Sequence, residues 1–187
     1  MFVLWLAACV PQWTVITPAN PNPLVGVTHL DLAPLQLANL HVGNDEEADY
    51  LARKDPKQQE DWARDKQVLS EEFAVSARAS AARCGVTLDA PGGPGEYTVT
   101  AQVMAIEPGF YGGVVEMPST VEVSVQVSHR MAVAEVVRFA HGTSPSSMSV
   151  GGVGIPSYPS VTDRLRADGK GLGEILGDYV CARVAGK

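Results

Sequence analysis

Lys170 sits among glycines in Gly169-Lys170-Gly171-Leu172-Gly173, the kind of composition from which phosphate-binding loops are made. Such loops aim backbone N–H groups at the phosphate, which requires G-x-x-x-x-G-K-[ST], or G-x-G-x-x-G after a strand. Neither spacing is present, so these glycines are assigned to packing. The four histidines, His29, His41, His129 and His141, show no H-x-H or H-E-x-x-H spacing and no Cys/His ligand pattern. Only the register of the last hairpin would decide whether His129 and His141 meet. Serines are plentiful but none stands in a G-x-S-x-G elbow, and Ser144–Ser149 falls in a Gly/Ser/Pro-rich loop that gives a nucleophile no fixed platform. The acidic run Asp45-Glu46-Glu47 with Asp49 lacks the calcium-loop pattern and is read as solvated. The expectation is a chain with no catalytic residues, no metal and no cofactor.

Two groups suit contact with another molecule better than catalysis. Phe110 and Tyr111 are flanked by glycines in Glu107-Pro108-Gly109-Phe110-Tyr111-Gly112-Gly113, and aromatic side chains are enriched at interfaces. Either both rings are presented outward or they fold back to cap the core. Met148 and Ile155, with Val150 and Val153, place apolar groups in the loop 142–159. Phe110, Tyr111, Met148 and Ile155 are therefore the candidate partner contacts.

The elements that must position these groups follow from hydrophobic periodicity. Alternation predicts a first strand over Leu24–Leu32, with the apolar stretch Leu35–Val42 extending it or pairing beside it. Asp55-Pro56 predicts a helix start, since proline in the first turn forfeits a hydrogen bond that is missing there anyway. Trp62, Leu69, Phe73, Ala77, Ala81 and Cys84 then recur at helical spacing, and Gly85 follows as the C-cap. Pro91-Gly92-Gly93-Pro94-Gly95 predicts a turn. A strand follows with Tyr97, Val99, Ala101, Val103 and Ala105 on one face. Val121, Val123, Val125 and Val127 against Glu122, Ser124, Gln126 and Ser128 form the cleanest alternation in the chain. His129–Ala134 should turn, and Glu135–Ala140 should return as a strand.

A last helix is predicted from about Ser160 to Val184. Gly169, Gly173, Gly177 and Cys181 recur every four residues and so form one ridge on it. Each glycine costs a helix about 1 kcal/mol against alanine, so the ridge is read as a place where the helix backbone comes close to the sheet. The predicted class is α+β: a two-layer sandwich of mostly antiparallel sheet with two helices on one face, preceded by an extended N-terminal tether.

With 187 residues, 45% of them hydrophobic, the chain is long enough for one domain with a real core. Its net charge of -7 argues against nucleic acid, which needs clustered Lys and Arg, and against electrostatic adhesion to anionic lipid. Membrane attachment, if any, falls to acyl chains.

Leu6-Ala7-Ala8-Cys9, after the apolar run Met1-Phe2-Val3-Leu4-Trp5, resembles the bacterial lipobox. The run is far shorter than the roughly 20 residues a bilayer span needs, and it fits the core of a secretion signal. The usual charged start is absent, since no Lys or Arg precedes Cys9; a plain buried apolar N-terminus is the alternative. The resemblance implies a signal over 1–8, acylation of Cys9, and a tether over 9–23 holding four prolines and two asparagines. The domain then spans 24–187. Val10 is not the aspartate that retains lipoproteins at the inner membrane, which implies the outer membrane with the domain in the periplasm. An acylated Cys9 also accounts for an odd count of three cysteines. Cys84 and Cys181 would remain, either paired in an oxidising compartment or kept as buried thiols.

The order strand, helix, three strands, helix behind that motif resembles small outer-membrane lipoproteins with a domain similar to the N-terminal domain of TolB. Among them are the Pel polysaccharide-secretion lipoprotein and the activator lipoproteins of penicillin-binding proteins. The resemblance rests on element order over Leu24–Val184 and on the helix bearing Arg164-Leu165, Leu172-Gly173 and Gly177-Asp178-Tyr179. It implies a non-enzymatic envelope component whose partners are the membrane, through the acyl chains on Cys9, and an envelope protein or a second copy. The alternative is a periplasmic binder of a small molecule or polysaccharide.

Overall fold

The computed structural model describes residues 12–111, 116–130, 132–144 and 160–187. Ten strands are described: β1 (Thr14–Thr17), β2 (His29–Leu32), β3 (His41–Val42), β4 (Asp45–Glu46), β5 (Thr87–Asp89), β6 (Tyr97–Glu107), β7 (Phe110–Tyr111), β8 (Glu116–Met117), β9 (Ser119–His129) and β10 (Ala132–Thr143). The helices are α1 (Glu47–Ala52), α2 (Pro56–Ala82) and α3 (Val161–Val184). The main sheet runs β1-β10-β9-β6-β2-β5, antiparallel through its long strands and parallel where β2 meets β5 and β6. This is an α+β fold, as the periodicity predicts.

The long strands bury one face. Val99, Ala101 and Val103 of β6, the four valines of β9, and Val137 and Phe139 of β10 pack toward the helices. The helices answer with Leu69, Phe73, Ala77 and Ala81 of α2 and Leu165, Leu172, Leu176, Tyr179 and Val180 of α3. A bulge breaks the predicted alternation in β6: Val103 pairs with Val123 but Ala105 pairs with Glu122, leaving Met104 as the extra residue. Beyond it the phase flips, so Ile106 takes the core position that alternation assigns to Ala105.

Both long helices begin with a capping box. Asp55 accepts from the Gln58 N–H and Ser160 from the Asp163 N–H, while each N3 side chain reaches back to the cap backbone. The glycine ridge of α3 lies against α2, not against the sheet as its spacing suggests. A Cβ on Gly169 would stand 2.5 Å from the Leu69 carbonyl oxygen, one on Gly173 2.5 Å from that of Phe73, and one on Gly177 2.2 Å from the Ser80 Cβ. The two helices therefore touch backbone to backbone. They run parallel, because residues of rising number on one meet residues of rising number on the other.

Three segments depart from the sequence-based outline. The first strand is confined to His29–Leu32, and Leu35–Val42 follows β6 through backbone bonds at Gln36 and the short β3. The second is β5, a strand that the periodicity does not announce. It lies beside β2, and the loop from β5 to β6 crosses over β2, where a Cβ on Gly95 would stand 2.8 Å from the Asp31 nitrogen. Third, within the stretch expected to form a tether, Thr14–Thr17 is hydrogen-bonded to β10 as the edge strand of the sheet.

Candidate functional site

The end of the sheet where β6 stops and β9 starts gathers the most polar groups. Asp168, on the second turn of α3, has no solvent-accessible surface. Its Oδ2 accepts from Ser119 Oγ at 2.5 Å, and its Oδ1 from Thr143 Oγ1 at 2.6 Å. His141 Nδ1 lies 3.0 Å from the same Oδ1. One buried carboxylate thus ties α3 to the start of β9 and the end of β10. The His141 ring fits because position 171 is glycine: a Cβ there would fall 2.3 Å from His141 Nε2. Serine, histidine and aspartate meet here without forming a nucleophile–base pair, since Ser119 donates to Asp168 and not to His141. The arrangement acts as a brace.

One turn earlier on α3, Arg164 is 4% exposed and donates to the Pro108 carbonyl from Nη2 at 3.0 Å and from Nε at 3.2 Å. Desolvation lowers the pKa of its guanidinium, opposed by the nearby carboxylates of Asp168, Asp163 and Asp65. This arginine seats the backbone that leads into the β7–β8 hairpin. Gly109 makes the turn there with φ +66°, and a Cβ would lie 2.4 Å from the Met117 carbonyl oxygen. In the hairpin Phe110 pairs with Met117, and both are exposed, at 47% and 41%. Phe110 is therefore presented outward rather than folded onto the core. Tyr111 belongs to β7, the partner of β8. Cys9, Met148 and Ile155 lie outside the described residues.

Cys84 and Cys181 form a disulfide with Cα atoms 5.7 Å apart. The ridge explains the juxtaposition: Cys181 is its fourth member, and Gly85 with φ +78° turns the chain just after Cys84. His129 and His141 do not meet, because β9 and β10 pair His129 with Ala132 and His141 with Val121 at opposite ends of the hairpin. Among the described residues no group of three His, Cys, Asp or Glu side chains is arranged to hold a metal ion.

A second buried polar cluster lies at the other end of α3. Arg183 Nη2 donates to Glu135 Oε2 at 2.6 Å, while Glu135 Oε1, Arg183 Nε and the Tyr179 hydroxyl have no hydrogen-bond partner among the described residues. Burial, then the Glu135 carboxylate, hold the Tyr179 phenol far above its ordinary pKa. Sequence reasoning missed both clusters, yet a signal was available. Glu135, His141 and Thr143 share the parity of Val137 and Phe139, so they are polar residues at core-facing positions of one strand.

On the open face of the sheet, an open groove of about 430 Å³ is lined by Thr14, His41, Met104, Ala105, Glu122 and Arg138, among others. Among the described residues no helix is long and apolar enough to cross a membrane.

Neither a family model nor a curated protein matches this sequence. Solved structures do. The PelC dodecamer of Paraburkholderia phytofirmans is 10% identical, with 88% of this chain and 96% of that one covered and a TM-score of 0.42. A Xanthomonas campestris protein of the DUF330 family is 14% identical over 91% and 93% of the two chains, with a TM-score of 0.49. A Chlamydia trachomatis protein is 13% identical over 86% and 99%, with a TM-score of 0.46. At these identities and TM-scores nothing is carried from these structures to this chain.

Proposed function

We propose that this chain is a non-enzymatic outer-membrane lipoprotein, acylated on Cys9, whose periplasmic domain serves as a protein-interaction or assembly component of the cell envelope. The observation that supports it is the Cys84–Cys181 bridge. A disulfide tying α3 to the chain just past the end of α2 belongs to an oxidising compartment, and it uses two of the three cysteines. Cys9, at the end of the apolar N-terminal run, is the one left for acylation. The brace at Asp168 fits the same reading, because its groups are spent on holding α3 to the sheet.

The test is in-cell cross-linking of the native protein and a Cys9→Ser variant, followed by separation of membranes. The proposal expects the native domain in outer-membrane fractions, cross-linked to a second copy or an envelope protein. A native protein that stays monomeric and soluble contradicts it.

The groove on the open sheet face favours a second reading, a binder of a small molecule or saccharide. Glu122 and Arg138 line it and make no ion pair among the described residues. Arg138→Ala would then abolish ligand-induced stabilisation in a thermal-shift screen of envelope saccharides.

A further inference from the structure

One row of residues crosses the open face of the sheet from β3 to β10. His41 pairs with Ala105, Ala105 with Glu122, and Glu122 with Ala140. Val123 and Phe139 are buried toward the helices, so Glu122 and Arg138, each one residue before them, face the other way. Glu122 therefore stands between two alanines, whose small side chains leave room on either side of it. The bulge in β6 adds a wall. Met104 and Ala105 are adjacent in the strand, yet both line the groove. Met104 is 37% exposed, and its unbranched thioether adapts to the shape of an apolar neighbour.

Arg138 belongs to the next row, opposite Ser124 on one side and Thr14 on the other. It is thus the diagonal neighbour of Glu122 across β9 and β10, at a spacing of about 7–8 Å. Both side chains are exposed and long enough to meet, and they make no ion pair among the described residues. The groove offers one positive and one negative group, unspent, over a floor of alanine.

A ligand seated there takes water from both charges. A neutral saccharide brings no counter-charge to either, and a singly charged ligand leaves one ion desolvated without a partner. A zwitterion answers both with charge-assisted hydrogen bonds. An extended dipeptide holds its ammonium and carboxylate about 6 Å apart, close to the diagonal spacing. Its planar carboxylate matches the guanidinium fork. A groove of about 430 Å³ has space for such a molecule.

We infer that this groove binds a free short peptide, with its carboxylate on Arg138, its ammonium on Glu122 and an apolar side chain against Met104. The inference rests on the second reading above, a small-molecule binder, and names the class of ligand.

The test is calorimetric titration of the full chain with alanyl-leucine, its N-acetyl form and its C-terminal amide. The free peptide should bind, and blocking either end should weaken binding about tenfold or more. Arg138→Gln should weaken the free peptide to the same degree and make amidation indifferent, while acetylation keeps its penalty. Glu122→Gln should do the reverse. Both residues are exposed, so the variants are expected to keep the parent's melting temperature, measured alongside. Free and blocked peptides that bind equally overturn the assignment. Preference for a neutral N-acetylglucosamine trisaccharide, or for glycerophosphoethanolamine, also overturns it and leaves the groove standing as a small-molecule site. No binding of any of these probes removes the groove reading together with the peptide.

Discussion

Cys181 stands four residues beyond Gly177 on the ridge of α3, and it is bonded to Cys84 just past the end of α2, 97 residues earlier in the chain. The bond closes a seam that three glycines have already brought to backbone contact. Seam and bridge therefore hold the same helix pair by different means. One acts through close packing in the folded state, and the other acts largely by restricting the unfolded chain.

A cross-link over a loop of this length removes much of the unfolded chain's freedom. Reduction, or Cys181→Ser, is expected to cost about 3–4 kcal/mol. Urea unfolding with and without reductant measures it. Coincident curves would show that the bridge contributes nothing.

At Gly173 the sign of the effect is diagnostic. In an ordinary helix Gly→Ala adds about 1 kcal/mol of stability. Here the new Cβ would stand 2.5 Å from the Phe73 carbonyl oxygen and 2.8 Å from the Ala77 nitrogen. Gly173→Ala is therefore expected to destabilise by about 2 kcal/mol or more, the usual scale for overpacking. A raised melting temperature would contradict the seam.

The periodicities in the sequence identify most of this architecture because they report burial directly. Val121 to Val127 specify β9, and Asp55-Pro56 specifies the start of α2. What the pattern could not show is which neighbour a face meets. The ridge of Gly169, Gly173 and Gly177 is visible as small residues at a spacing of four, but only the three-dimensional path puts α2 rather than the sheet against it. The bulge at Met104 and the parallel placement of β5 depend on long-range pairing in the same way. Asp168 is one acid among many in the sequence, and its importance comes from Ser119, His141 and Thr143, which are distant along the chain. The tether is the opposite case: its prolines signal irregular chain, while the pairing of Thr14–Thr17 with β10 carries no local signature.

Removing the Asp168 carboxylate would leave Ser119, Thr143 and His141 without their shared acceptor at the base of the hairpin. Asp168→Ala is expected to cost about 3 kcal/mol or more, since a buried network loses its charged acceptor. Asp168→Asn, which keeps an acceptor oxygen, should cost less. Denaturant midpoints for the two variants check the order, and equal effects would argue against the brace.

The N-terminus of α3 supplies a pH dependence. Hydrogen bonds from the Ser160 hydroxyl and backbone hold the Asp163 carboxyl below the usual carboxylate range. A folded pKa below the unfolded one gives stability that is present above about pH 4 and lost as pH falls through the folded value. Ser160→Ala should cost about 1 kcal/mol at neutral pH. The gap between variant and parent melting temperatures should narrow below about pH 4, and a gap constant down to about pH 3 would contradict this linkage.

Intact mass of the protein isolated from its native membranes, beside Cys9→Ser, tests the central claim most directly. The account predicts a chain beginning at Cys9, carrying diacylglycerol and one internal disulfide, and released from the membrane fraction by the serine substitution. A native mass that includes Met1–Ala8 with Cys9 unmodified, from protein that stays soluble, would contradict it.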